Sequence, residues 1–540
     1  MTKAIIFTGP GGIRARRSIE KFTQYCEDKG DRANTVEIDD RLIERYLLAY
    51  PDAGDRLLLE QGGLAYLLYR PKQVLTSLWR EVVEESILQS RDASASALDD
   101  VANLDSWLFV TMHAVFYNNQ SREFFSPIDQ TFLRETLNAS RIEVEKVVTL
   151  IDDIHNVVQH LTRPGQLFQA PHSADAYQKT VDSILNLQLA LDWRSSELLR
   201  ASELASGLGV RHLVLATKHE MTVVRDILLE DKPMGYISHP ISSVRDDSDF
   251  KGEVGDFTKR VSSAIAPISP TTIDELRIAK DEDGRVLPRL SDRWPFPAEG
   301  EVLFVQPANA EMDPLNPTDE PFDGTDRFLE GLIHSLVDAI RSQINARDRW
   351  LVDQADYLLV WRPFYKGHMS GGVTEEILHR NSLVDHGIIE PGQKRCIVYG
   401  PPEDLSMWRV NELVERARKL IGFNGGDSSA LERIRSELLR ATNLFIEQPP
   451  QHQDILTVIR DAAGGFGRSS TALGAMSGQR SVAEDEHALE TWSALVQDVL
   501  AADPLNRVLK EEQGDYWVRD HLAIDAFCSR VTHRIEEARR

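Results

Sequence analysis

The chain has 540 residues, of which 42% are hydrophobic and 27% charged, and its formal net charge is −24. That length exceeds one ordinary core and predicts two or three globular domains, while the composition excludes a disordered chain. The excess of acids argues against binding a nucleic acid polymer, because polyanions repel, but small anions can still be held at helix N-termini.

The chain opens Met1-Thr-Lys-Ala-Ile-Ile-Phe7 with no signal-peptide pattern and goes straight into a strand, Lys3–Thr8. Gly9-Pro-Gly-Gly12 follows, then a helical pattern from Arg14 towards Lys29. Strand, glycine loop and helix form the arrangement that cradles phosphates on backbone amides. The lysine that such a loop uses has no counterpart in Ile13-Arg-Ala-Arg-Arg-Ser18. A second strand, Val147–Ile151, ends in Asp152-Asp153, a place where an acid would hold magnesium beside a bound nucleotide. A third strand is His212–Ala216, and helical patterns fill Pro71–Gln89 and Ala174–Ala205, the latter interrupted at Asp192-Trp-Arg194. Alternating strands and helices predict a parallel α/β sheet. Residues 1–230 thus resemble a P-loop nucleotide kinase domain with a degenerate phosphate loop. Gly9, Gly11, Gly12, Arg14, Asp152 and Asp153 are its candidate nucleotide-binding residues, with magnesium as the implied metal. Against this, the glycines also suit a plain strand-to-helix turn, and Asp152-Asp153 also suits a helix cap. His113, on the apolar run Trp107–Phe116, reads as a core histidine.

A new α/β unit starts at Met234-Gly-Tyr-Ile-Ser-His-Pro240, with a helix over Val254–Ile265, a strand at Glu301–Val305 and a long loop from Pro307 to Asp326. A helix from Arg327 to about Asn345 leads into Asp348–Glu376, which carries acids on both sides of the strand Tyr357–Trp361. Another strand, Arg395–Tyr399, ends in Gly400-Pro-Pro402.

The order and spacing of these residues resemble the nucleoside 2-deoxyribosyltransferase superfamily, and particularly its 2'-deoxynucleoside 5'-monophosphate N-hydrolase branch. The resemblance covers residues 233–420. It is carried by Tyr236 on a first strand with Arg245 nine residues later, by Asp348 and Ala355-Asp356 before a strand, and by Ser370, Gly372, Val373 and Glu376 after it. It implies a Rossmann-like (flavodoxin-like) domain that breaks or exchanges an N-glycosidic bond and needs no cofactor. Glu376 would stabilise or attack the oxocarbenium-like sugar, Asp348 would manage the proton on the base, and Tyr236 would orient Glu376 or the sugar. Ser242, Ser243, Arg245, Ser370 and Gly372 would receive a 5'-phosphate. Serine at 370, where the nucleoside-transferring branch usually has Asp, favours a nucleotide over a nucleoside. Glu375 competes with Glu376 as nucleophile. Both could also be acids answering the helix dipole, Asp348 a surface acid and Tyr236 a core aromatic. Asp356 reads as structural, and Trp350 and Trp361 as packing residues.

From about Asp404 the pattern is helical, with segments at Met407–Ile421, Ser429–Phe445, Ile455–Ala462, Ala483–Ala502 and Asp515–Arg539. The expectation is therefore an α/β protein of three parts: residues 1–230, residues 231–420 and a helical region, 421–540. Cys26, Cys396 and Cys528 are too widely spaced for a thiolate metal motif or a disulfide framework. No apolar run reaches the roughly 20 residues of a bilayer span, so no membrane partner and a cytoplasmic location are expected. Homo-oligomers are common in the superfamily resembled, and one is expected here. Two other readings remain open on the sequence: nucleotide phosphorylation by the N-terminal part, and a nucleotide sensor without chemistry.

Overall fold

Parallel strands are covered by helices on both faces, so they are selected as short apolar, β-branched runs. The run after Lys3 is of that kind: β1 (Thr2–Thr8) is buried from Ala4 onward. The computed structural model describes residues 2–51, 67–97, 106–152, 176–270, 327–420 and 515–539, less residues 14, 119, 242–243, 245–246, 391, 393 and 519–521, with short pieces elsewhere. These residues form two units, Met1–Lys232 with Pro270–Gln354, and Pro233–Ser269 with Ala355–Arg540.

In the first unit β1 is followed by β2 (Arg32–Glu37), β3 (Ser106–Thr111), the antiparallel ribbon β4 (Phe116–Asn118) and β5 (Glu123–Phe125), then β6 (Ile142–Ile151) and β7 (Arg211–Ala216). The sheet runs β2-β3-β1-β6-β7 and every pair in it is parallel. The connection after β1 runs to one side and the connection after β3 to the other, so a crevice opens between those two strands at their C-terminal ends. Strand β2 escapes a hydrophobicity reading because only Ala33 and Val36 are buried in it. The helix Ala176–Leu208 is continuous through Asp192-Trp-Arg194, correcting the expected interruption. Those residues include no glycine or proline, and the bulky Trp193 is simply a buried helix residue.

In the second unit β8 (Met234–Ser238) and β9 (Ala266–Ile268) precede β12 (Tyr357–Trp361), the ribbon β13 (Phe364–Tyr365) and β14 (His368–Met369), β15 (Arg395–Tyr399) and β16 (Tyr516–Val518). Between them in sequence, β10 (Ala279–Lys280) and β11 (Val286–Leu287) form a small antiparallel ribbon. The sheet runs β9-β8-β12-β15-β16, entirely parallel, which is 2-1-3-4-5 when its strands are counted along the chain. Its core joins Ile237, Phe250, Phe257, Leu359, Trp361, Ile397 and Tyr399 to Ile524, Phe527 and Val531.

The helix Arg327–Gln354 belongs to the first unit. There the Gln354 side chain accepts from Val214 N at 2.7 Å and donates to Val214 O at 2.8 Å, closing the exposed edge of β7. The expected helix from Asp515 begins only at Leu522, because Tyr516-Trp-Val518 pairs with Ile397–Tyr399 as the edge strand. Aromatic and β-branched residues suit that half-buried position. The expected strand Glu301–Val305, the loop Pro307–Asp326 and the helices between Ser429 and Ala462 lie outside the described residues. Among the described residues no helix is long and apolar enough to cross a membrane.

Candidate active site

The site forms around Glu376, in the second turn of the helix Gly371–Asp385 that follows β12 and its ribbon. Tyr236 and Ser238 lie two apart on β8, and strand alternation turns both to one face. Both are fully buried. Tyr236 Oη donates to Glu376 Oε1 at 2.6 Å, and Ser238 Oγ donates to Oε2. Each carboxylate oxygen therefore has a hydroxyl donor, which fixes its orientation. Glu376 itself is half-exposed. Glu375 is exposed and takes no part in the hydrogen bonds to Tyr236 and Ser238.

The position in the sheet is the one general physics favours for a ligand. The connection from β8 runs to β9 on one side, and the connection from β12 runs towards β15 on the other, so the crevice opens between β8 and β12. Glu376 follows β12 in the chain and bonds to the end of β8. Ser370 takes the N-cap position with no side-chain cap hydrogen bond. A Cβ placed on Gly371 or Gly372 would meet nothing within 4 Å, so there is room beside the first helical turn. A helix N-terminus of this kind suits an anion.

His239 follows Ser238 and is 8% exposed. Burial lowers its pKa to about 4, so it is neutral at physiological pH, and its Nδ1 has no hydrogen-bond partner among the described residues. Asp356 proves structural: Oδ2 accepts from Met234 N at 2.7 Å, and its own N–H donates to Met234 O at 2.8 Å, locking β8 to β12. Trp361 stacks on Phe257 at 4.8 Å and is a packing residue. The ribbon before Ser370 is pinned by Arg362, which donates to Asp404 through Nε and Nη2 at 2.9 Å and to Glu253 at 2.7 Å.

Asp348 lies in the first unit on the helix Arg327–Gln354, where Arg347 donates to its Oδ1 from Nε and Nη2 at 3.0 and 2.9 Å. Trp350, on the same helix, meets His212 edge-on at 5.5 Å as a packing residue. Ser242, Ser243 and Arg245 lie outside the described residues.

The glycine loop of the first unit is arranged differently from a phosphate cradle awaiting its ligand. Gly9 N donates to Glu197 Oε1 at 2.9 Å, as does Ala114 N at 2.7 Å, and Val115 N donates to Oε2 at 2.8 Å. A Cβ on Gly11 would come within 2.4 Å of the Trp193 ring. Gly12 has φ 88° and approaches the Val157 carbonyl, so its glycine answers a turn and a close packing contact. Asp152 is buried at the end of β6, while Arg14 and Asp153 lie outside the described residues. These residues do not fit a nucleotide phosphate as they stand, since a carboxyl already holds the amides. Among the described residues no cluster of three or more His, Cys, Asp and Glu is placed to hold a metal ion.

His113, read as a core histidine, pairs instead with an acid, its Nδ1 lying 2.5 Å from Asp39 Oδ2. Burial opposes its charge, but Asp39 and then Glu197 outweigh that and raise its pKa to about 9. Burial pushes the Glu197 carboxyl up to about 8, against the pull of His113 and the three amides.

No protein-family model matches the chain, and no curated protein matches it. The reading of the site rests on its geometry. Ser238, His239 and Glu197 were absent from the sequence-based candidates. Period-two alternation from Tyr236 points to Ser238, whereas nothing local marks Glu197, which meets the loops only through the fold.

Proposed function

We propose that the second unit cleaves or exchanges the N-glycosidic bond of a nucleotide or nucleoside, with Glu376 as the nucleophile. The observation that carries this is the Glu376 carboxylate held on both oxygens by Tyr236 and Ser238 at the sheet's crevice. The 2-1-3-4-5 strand order supports it, being the flavodoxin-like order in which ligands lie at the first and third strands. The uncapped helix start at Ser370 and the open space at Gly371 and Gly372 support a phosphate on the substrate.

As the bond from the anomeric carbon to the base nitrogen lengthens, positive charge grows on the sugar, and a fixed carboxylate stabilises it. A bond forms between that carbon and a Glu376 oxygen. The C–N bond breaks, its electron pair leaving with the base, which takes a proton from solvent. Water then attacks the same carbon, the carboxylate departs with its electrons, and the water's proton passes to solvent. A second base in place of water gives exchange. Tyr236 and Ser238 keep Glu376 aimed throughout.

The test is to incubate the purified protein with deoxynucleoside 5'-monophosphates, nucleosides and NAD and to separate any free base by chromatography. Release from at least one of them, lost in Glu376→Ala, is the expected result. Release that persists undiminished in that variant would defeat the assignment.

A further inference from the structure

The first unit has its own crevice, between the loop after β1 and the loop after β3. Backbone N–H groups converge there from Gly9, Ala114 and Val115, a concavity of the kind that holds anionic oxygens. All three donate to one side chain, Glu197, which is 0% exposed. One helical turn earlier Trp193 lies against Gly11 and donates from Nε1 to Val115 O at 2.9 Å. His113 lies near enough for its charge to act on the Glu197 carboxyl. The position where a phosphate loop would carry its lysine offers no counterpart.

We propose that Glu197 is a built-in occupant of an anion cradle. Its carboxyl takes the three amides a phosphate would need, Trp193 covers the glycine loop, and the first unit excludes phosphate-bearing ligands while the helix Ala176–Leu208 is seated. The contact is autoinhibitory: a kinase-like reaction at this crevice requires Glu197 to leave first. This does not depend on the chemistry at Glu376, since every residue involved belongs to the first unit.

The experiment compares the full-length wild type with Glu197→Ala and with the isosteric Glu197→Gln by calorimetric titration of inorganic pyrophosphate and of ATP. The second unit's site is common to all three proteins, so an added binding event reports the first-unit crevice. The proposal expects no such event in the wild type, and one in a folded variant with affinity raised about tenfold or more. Photo-crosslinking of an azido-ATP to the Gly9–Gly12 peptide of the wild type would overturn it, as would a folded variant that gains nothing. Should neither variant fold, amide exchange in the nucleotide-free wild type decides. Protection of the Gly9, Ala114 and Val115 amides supports the proposal, and fast exchange at all three refutes it.

Discussion

Asp515→Ala tests how the C-terminal edge strand holds the Glu376 helix in place. Arg380, one turn beyond Glu376, is wholly buried and so is Asp515. Its guanidinium donates to Asp515 at 2.7 and 2.5 Å, to Asn381 Oδ1 at 2.8 Å and to Lys394 O at 2.8 Å from Nε, with a further Nη2 bond to the same carbonyl. Asp515 also accepts from Cys396 N and Lys510 N at 3.0 Å each. Truncating it leaves a buried guanidinium and two amides without their acceptor, a cost of about 3–5 kcal/mol. At roughly 2–4 °C per kcal/mol for a unit of this size, calorimetry should show the second unit melting on the order of 10 °C lower. The double variant Arg380→Met with Asp515→Leu removes both charges and should recover part of that loss, because the desolvation of the pair disappears with it while the Cys396 and Lys510 amides stay unpaired. A drop below about 2 °C for Asp515→Ala, or a double variant as weak as the single one, would contradict the reasoning.

Other outcomes follow from the same geometry. Tyr236→Phe and Ser238→Ala each delete one hydrogen bond to a charged carboxylate, worth about 1.5–3 kcal/mol, so base release should slow roughly ten- to a hundredfold in each. Because both donors act on one group, the double variant should lose less than the product of the two, which a kinetic cycle measures. His113 is raised from 6.5 to about 9 in the folded chain, so the folded state binds more protons than the unfolded one between those values. The contribution of His113 to the first unit's stability should be full below about pH 6.5 and be lost towards pH 9, by up to about 3 kcal/mol. Glu197, raised to about 8, acts in the same direction from its lower starting point. Melting curves of Asp39→Asn across this range should be flatter than the wild type's, and an equally steep fall would count against the pair. Gln354→Ala strips the β7 edge of two hydrogen bonds to Val214 and should cost the first unit about 1–3 kcal/mol by denaturant unfolding.

Much of the second unit was legible because its strands are short apolar runs with clear ends. Tyr357–Trp361 and Arg395–Tyr399 match the structure residue for residue. Glu376 and Tyr236 were legible from spacing, and the structure brings them into one hydrogen bond. Other features depend on long-range pairing that no local pattern encodes. Tyr516–Val518 becomes a strand because β15 has a free edge. Arg32–Glu37 becomes one although four of its six residues are polar, because it pairs with β3 along its whole length. Asp348 was picked out by its spacing, and the length of its helix, which continues to Gln354 and groups with the first unit, was not. The glycine loop was read as a degenerate phosphate loop, with a plain strand-to-helix turn as the alternative, and the carboxyl that accepts from Gly9 comes from a helix far along the chain.

Glu376→Gln probes the central claim most directly. The substitution keeps the side chain's shape and a carbonyl oxygen for Tyr236 or Ser238, but removes the negative charge that the reaction uses. Assayed by chromatography against deoxynucleoside monophosphates, nucleosides and NAD, the wild type should release free base. The variant, folded by circular dichroism, should release it about a thousandfold more slowly or not at all. Equal rates for the two proteins, or a wild type that releases no base from any of these substrates, would contradict the account.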